Sequence, residues 1–75
     1  MSQQDLTLSL IEQAFNLHQQ GKFKEAQALY EQALTTDPNH FDGLQLLGTL
    51  FLEVSQFTKA VEFLAQALQI KPDFV

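Results

Sequence analysis

The sequence predicts an all-α protein, four antiparallel helices arranged as two tandem helix-turn-helix hairpins. Three observations carry that prediction. Apolar residues recur at intervals of three and four along most of the chain, a spacing that fits helices and not alternating strands. Helix-stop residues stand at Gly21, Pro38 and Pro72. Sliding the chain by 34 residues pairs Leu10 with Leu44, Phe23 with Phe57, Ala26 with Ala60, Gln32 with Gln66, Ala33 with Ala67, Leu34 with Leu68 and Pro38 with Pro72, so the second hairpin is a copy of the first.

The first predicted helix runs through Leu6, Leu8, Leu10, Ile11, Ala14, Phe15 and Leu17, and Ser2 with Asp5 three residues on resembles a capping box at its start. Gly21 ends it, because glycine enters the left-handed conformation without a Cβ clash. A second helix carries Phe23, Ala26, Leu29, Tyr30, Ala33 and Leu34 up to Pro38, whose ring removes a backbone N–H and disfavours helix in the residue before it. Asn39 is the expected cap of the third helix, with its stripe of Leu44, Leu47, Gly48, Leu50, Phe51 and Val54. After the turn at Ser55 and Gln56, a fourth helix presents Phe57, Ala60, Val61, Leu64, Ala67 and Leu68 and stops at Pro72.

With 75 residues, the chain has room for one small domain and not for two independent cores. It contains no cysteine and two histidines, so neither a disulfide framework nor a structural metal is expected to support that core. The first fifteen residues lack the basic region and unbroken apolar run of a secretion signal, and no stretch approaches the roughly 20 apolar residues that span a bilayer; a cytoplasmic location is expected. Nine Asp and Glu stand against four Lys and no Arg, a net charge of −5. Phosphate recognition needs clustered cations, so nucleic acid and anionic membrane are excluded as partners.

The 34-residue period with small residues at fixed places resembles the tetratricopeptide repeat (TPR) family from about Thr7 to Phe74. In the second copy Leu44, Leu47, Gly48 and Phe51 match the family's first-helix pattern, and Ala60, Leu64, Ala67 and Pro72 match its second. In the first copy Leu10, Leu17, Ala26, Tyr30, Ala33 and Pro38 fit, while Gln13 and Ala14 stand where Leu and Gly are usual. The resemblance implies a fragment of a right-handed α-solenoid, a single domain over 1–75 with repeats at about 7–40 and 41–74 and a possible third repeat starting at 75. Independently of the name, Gly48, Ala26 and Ala60 are small where two helix axes are expected to cross closely.

The two ends read differently. Gln13 is polar at a normally buried place, as expected of a first repeat that nothing covers, and on that reading Met1 is expected to be a native start. At the far end Val61, Leu64 and Leu68 would meet the first helix of a following repeat, and residues 73–75 stand where that repeat should begin. The chain is therefore read as a fragment of a longer array; the alternative is a two-repeat piece that forms a homodimer by hiding Val61, Leu64 and Leu68 against a second copy.

Catalytic machinery is not expected. GxSxG, HExxH and a Gly-rich phosphate loop are all missing, and no cofactor or metal is implied. His18 reads as a partly exposed histidine near a helix C-terminus and His40 as a helix-start residue, neither at ligand spacing with other donors. Thr35 and Thr36 read as helix-end residues bonded to nearby carbonyls.

The expected function is binding. In the repeat family the first helix of each pair lines a concave surface, and the resemblance implies that Leu8, Ile11, Glu12, Phe15, His18 and Gln19 face it, joined by Asp42, Gln45, Leu46, Thr49, Leu52 and Glu53. Leu8, Ile11, Phe15 and His18 do form a second stripe beside Leu10, Ala14 and Leu17, which supports an apolar shelf for an extended or helical peptide. The acids on that surface, Glu12, Asp42 and Glu53, favour a neutral or basic ligand. Family members that clamp acidic chaperone tails resemble one another in using Lys and Asn where this chain has Ile11, Phe15 and Leu46, and the Asn ladder of repeats attached to protein O-linked glycosyltransferases is missing, with Glu12 and Leu46 in its place, so neither of those two binding modes is expected. The leading reading is a non-enzymatic protein-interaction module; the rivals are the N-terminal arm of a larger enzyme, such as a repeat-bearing glycosyltransferase, and a self-assembly module.

Overall fold

The computed structural model describes residues 2–72 and contains four α-helices: α1 (Gln3–Gln19), α2 (Phe23–Thr36), α3 (Phe41–Glu53) and α4 (Phe57–Ile70). Among the described residues there is no strand. Met1 and residues 73–75, on which the native start and the opening of a third repeat were expected, lie outside the described residues.

Local chemistry sets the helix ends. At the start of α1 the Asp5 N–H donates to Ser2 Oγ at 3.2 Å, the first half of the expected capping box. At its end Gly21 has φ +80°, and the Lys22 N–H reaches back to the Leu17 carbonyl at 2.9 Å while the Gly21 N–H reaches His18 at 3.0 Å. This six-to-one bond around a left-handed residue closes the helix. The same closure recurs 34 residues later, where the Gln56 N–H reaches the Phe51 carbonyl at 2.8 Å, but the left-handed residue is now Ser55, φ +64°. The ends of α2 and α4 match as well: the Asp37 and Lys71 N–H groups donate to Ala33 and Ala67, each at 3.0 Å.

One expected cap is displaced. Asn39 lies in the turn, and the extended residue that enters α3 is His40, whose Nδ1 accepts from the Gly43 N–H at 3.1 Å. An imidazole nitrogen at that position satisfies the orphan amide as an Asn oxygen would, so the helix begins one residue later.

Each hairpin is closed by its own apolar stripe. α1 packs on α2 and α3 on α4, while α2 joins the hairpins by lying against α3 and α1 meets α3 along an edge. Tyr30, Phe51, Leu47 and Leu50 are the large buried side chains of the continuous core, with Ala14, Ala26, Ala33 and Ala60 filling the places where helices approach closely. Gly48 shows how close: a Cβ there would stand 2.8 Å from Leu64 Cγ and 3.3 Å from the Leu64 backbone nitrogen. Gln13 is exposed and donates to Ser9 at 3.1 Å on the solvent side of α1.

Candidate functional site

The spacing 8, 11, 12, 15 turns four α1 side chains to one side of the helix, and Asp42 and Leu46, one turn apart, rise from α3 to meet them. Between the two walls lies a cleft of about 280 Å³ lined by Leu8, Ile11, Glu12, Phe15, His40, Asp42 and Leu46. Ile11 is buried, whereas Leu8 and Phe15 are 47% and 40% exposed. The cleft therefore has a buried apolar floor with two large, partly exposed apolar side chains beside it. Glu12 and Asp42, both exposed, are its acidic lining.

Gly43 brings the walls together at this level. A Cβ on it would meet Leu34 Cδ2 at 3.1 Å and Ile11 Cδ1 at 3.3 Å, so the missing side chain lets α3 settle against α1 and α2. At the opposite end of the walls His18 bridges the same two helices. Its Nε2 stands 3.1 Å from Glu53 Oε2 on α3, and its Nδ1 3.2 Å from the Tyr30 hydroxyl on α2. The expectation of a partly exposed His18 is corrected: the ring is 8% exposed, enclosed by edge-on contacts with Phe15, Phe23 and Tyr30 at 5.7 to 6.4 Å between centroids. Burial, and secondarily the negative charge of Glu53, pushes the Tyr30 phenol up to about 12.

The other residues expected on the concave surface are dispersed. Gln45 and Thr49 lie on the α4 side of α3, where with Phe41, Leu64, Ala67 and Leu68 they line a second pocket of about 230 Å³. Gln19 and Leu52 are exposed and line neither pocket. Of the residues assigned to self-association, Val61 and Leu68 are exposed, while Leu64 is half-buried against Gly48. His40 lines the cleft without having been assigned to it; its helix-start position was the one signal, and that signal pointed to capping. Among the described residues no three His, Asp or Glu side chains come together in a way that would hold a metal ion, and no helix is long and apolar enough to cross a membrane.

The family model of the tetratricopeptide repeat matches residues 17–74. The chain belongs to the tetratricopeptide repeat family. Four helices in two packed hairpins are the architecture that two tetratricopeptide repeats require. Repeats of this family are in general protein–protein interaction modules and typically non-catalytic. Within this tetratricopeptide pair the α1 wall of the cleft, Leu8 to Phe15, precedes the matched stretch, whereas the α3 wall falls inside it.

Proposed function

We propose that this tetratricopeptide pair, with repeats over about 7–40 and 41–74, is a non-enzymatic module that takes a peptide segment of a protein partner in the α1–α3 cleft. One apolar side chain of the ligand sits on Ile11 between Leu8, Phe15 and Leu46. A neutral or basic neighbour lies beside Glu12 and Asp42. The observation that supports this reading is the pairing of an apolar floor with a charged lining of one sign. Apolar burial supplies the affinity and the carboxylates select against acidic ligands.

The test uses fluorescein-labelled synthetic peptides with a single Leu or Phe flanked by Lys, by Ala or by Glu, read by anisotropy. The Lys- and Ala-flanked peptides bind more tightly than the Glu-flanked one, and Phe15→Ala weakens binding at least fivefold with little change in thermal stability. Equal binding by Phe15→Ala, or a preference for Glu-flanked peptides, removes the cleft from consideration.

A second reading concerns α4. Phe57, Val61 and Leu68 are 60%, 66% and 48% exposed, and with Leu64 they form a stripe at steps of four, three and four along the helix, the spacing of a two-helix seam. We propose that a second copy of the chain covers this stripe. Sedimentation over a range of concentrations then shows dimers that Leu68→Glu converts to folded monomers; a monomer at every concentration contradicts it.

A further inference from the structure

The two walls of the cleft belong to different hairpins, so its width is the spacing between α1 and α3. At one end that spacing is set by the close approach of Ile11 to Gly43. At the other, the bridge is polar, Tyr30 to His18 to Glu53, and His18 also touches Phe15, the exposed aromatic of the cleft wall. We infer that His18, as the neutral Nε2–H tautomer, is a positioning residue of the cleft: it accepts from the Tyr30 hydroxyl at Nδ1, donates from Nε2 to the Glu53 carboxylate, and so fixes both the α1–α3 spacing and the stance of Phe15. The inference rests on the cleft being the binding surface.

With the ring in its neutral form, the hydrogen-bond inventory sets the direction of the relay. Tyr30 is fully buried, and among the described residues no buried side-chain polar atom lacks a partner. A carboxylate only accepts, so a bond between Glu53 and the ring puts a hydrogen on Nε2. A neutral ring then leaves Nδ1 without hydrogen, and the phenol becomes the donor. The phenol keeps its proton well past neutrality, because burial and Glu53 both hold it there. The groups that face the ring are Tyr30 and Phe23 from α2, Glu53 from α3 and Phe15 from its own helix; of these, Tyr30 and Glu53 titrate.

Geometry makes the bridge a positioning device and not a packing accident. The Glu53 side chain is 45% exposed, so water would solvate its carboxylate if the ring were absent. The ring, in contrast, is buried among three aromatic side chains that it meets edge-on. A buried donor thus meets a half-exposed acceptor from the other hairpin.

Two measurements test this without any ligand, so their failure is separable from failure of the cleft as a binding site. The ¹⁵N resonances of His18 at pH 8 show one proton-bearing nitrogen, Nε2, and one acceptor, Nδ1; a proton on Nδ1, alone or together with Nε2, overturns the assignment. The chain has no cysteine, so spin labels attached at Asn16→Cys and Leu52→Cys report the α1–α3 distance without background. A single narrow distribution is expected in the parent and in Glu53→Gln, whose amide oxygen still accepts from Nε2. His18→Leu and Glu53→Leu broaden it and shift the Phe15 ring resonances while the far-ultraviolet circular dichroism stays unchanged. A narrow, unshifted distribution in both leucine variants, or broadening by Glu53→Gln equal to that by Glu53→Leu, contradicts the positioning role.

Discussion

Positions 34 residues apart in this chain carry like side chains and yet live in different surroundings. Leu34 packs against the core and Leu68 is about half exposed; Phe23 closes over the buried His18 ring, and Phe57 stands in solvent. His18 is buried among Phe15, Phe23 and Tyr30 and meets Glu53 of α3, while the position one period later, Leu52, is exposed. Burial in such a stack follows from what lies alongside a hairpin and not from the hairpin's own sequence. The two hairpins cover each other where α2 and α3 meet; among the described residues nothing covers the outer face of α4.

This difference orders the consequences of mutation. Phe51 and its counterpart Leu17 point toward the same kind of interior, but Phe51 is fully buried against Phe63 and the core and Leu17 only half so. Phe51→Ala should cost about 3–5 kcal/mol by urea denaturation, and Leu17→Ala less than half as much. Similar losses at the two positions would mean that the hairpins share the core equally. The buried phenol of Tyr30 gives the next largest effect, as a pH dependence. Its folded pKa is raised to about 12 from the ordinary 10, so the unfolded chain loses the proton first as pH rises. Stability should be unaffected by this group below pH 10, fall by roughly 2–3 kcal/mol between pH 10 and 12, and level off above, a drop that Tyr30→Phe abolishes.

The two inter-helix turns offer the smallest and cleanest contrast. Gly21 and Ser55 take the same left-handed backbone, and only glycine does so without strain. A Cβ on Gly21 would meet nothing within 4 Å, so Gly21→Ala tests backbone alone and should destabilise by about 1 kcal/mol. Ser55→Gly should stabilise by a comparable or slightly smaller amount, measured as a rise in the midpoint of thermal unfolding. A destabilising Ser55→Gly would show that the serine side chain contributes something the backbone does not explain.

What could be read from the residues was whatever depends on near neighbours in sequence. The 3.6-residue stripes, the stops at Gly21 and Pro38 and the small residues at Ala26, Gly48 and Ala60 are local, and all four helices followed from them. His40 replaced Asn39 as a cap because a cap is decided by backbone angle, which one residue of chain can move. Ser55 gave no sign of its left-handed turn, since serine does not select that region. The cleft was legible in part. Leu8, Ile11, Glu12, Phe15, Asp42 and Leu46 line it, because helical spacing fixes which residues share a side; spacing does not say which helix stands against that side, and α4 stands on the side of Gln45 and Thr49. The relay through His18 joins residues 18, 30 and 53 on three helices, a conjunction that exists only once the hairpins are stacked.

Thermal unfolding of Leu34→Glu and Leu68→Glu, side by side at low protein concentration, bears most directly on the stacking of one hairpin upon the other. A carboxylate at position 34 would be pressed against the core and Gly43, and stability should fall by about 2 kcal/mol or more; at position 68 it would enter solvent, with a change within about 0.5 kcal/mol. Equal losses at the two positions would contradict a stack in which the second hairpin covers the first and leaves its own α4 face open.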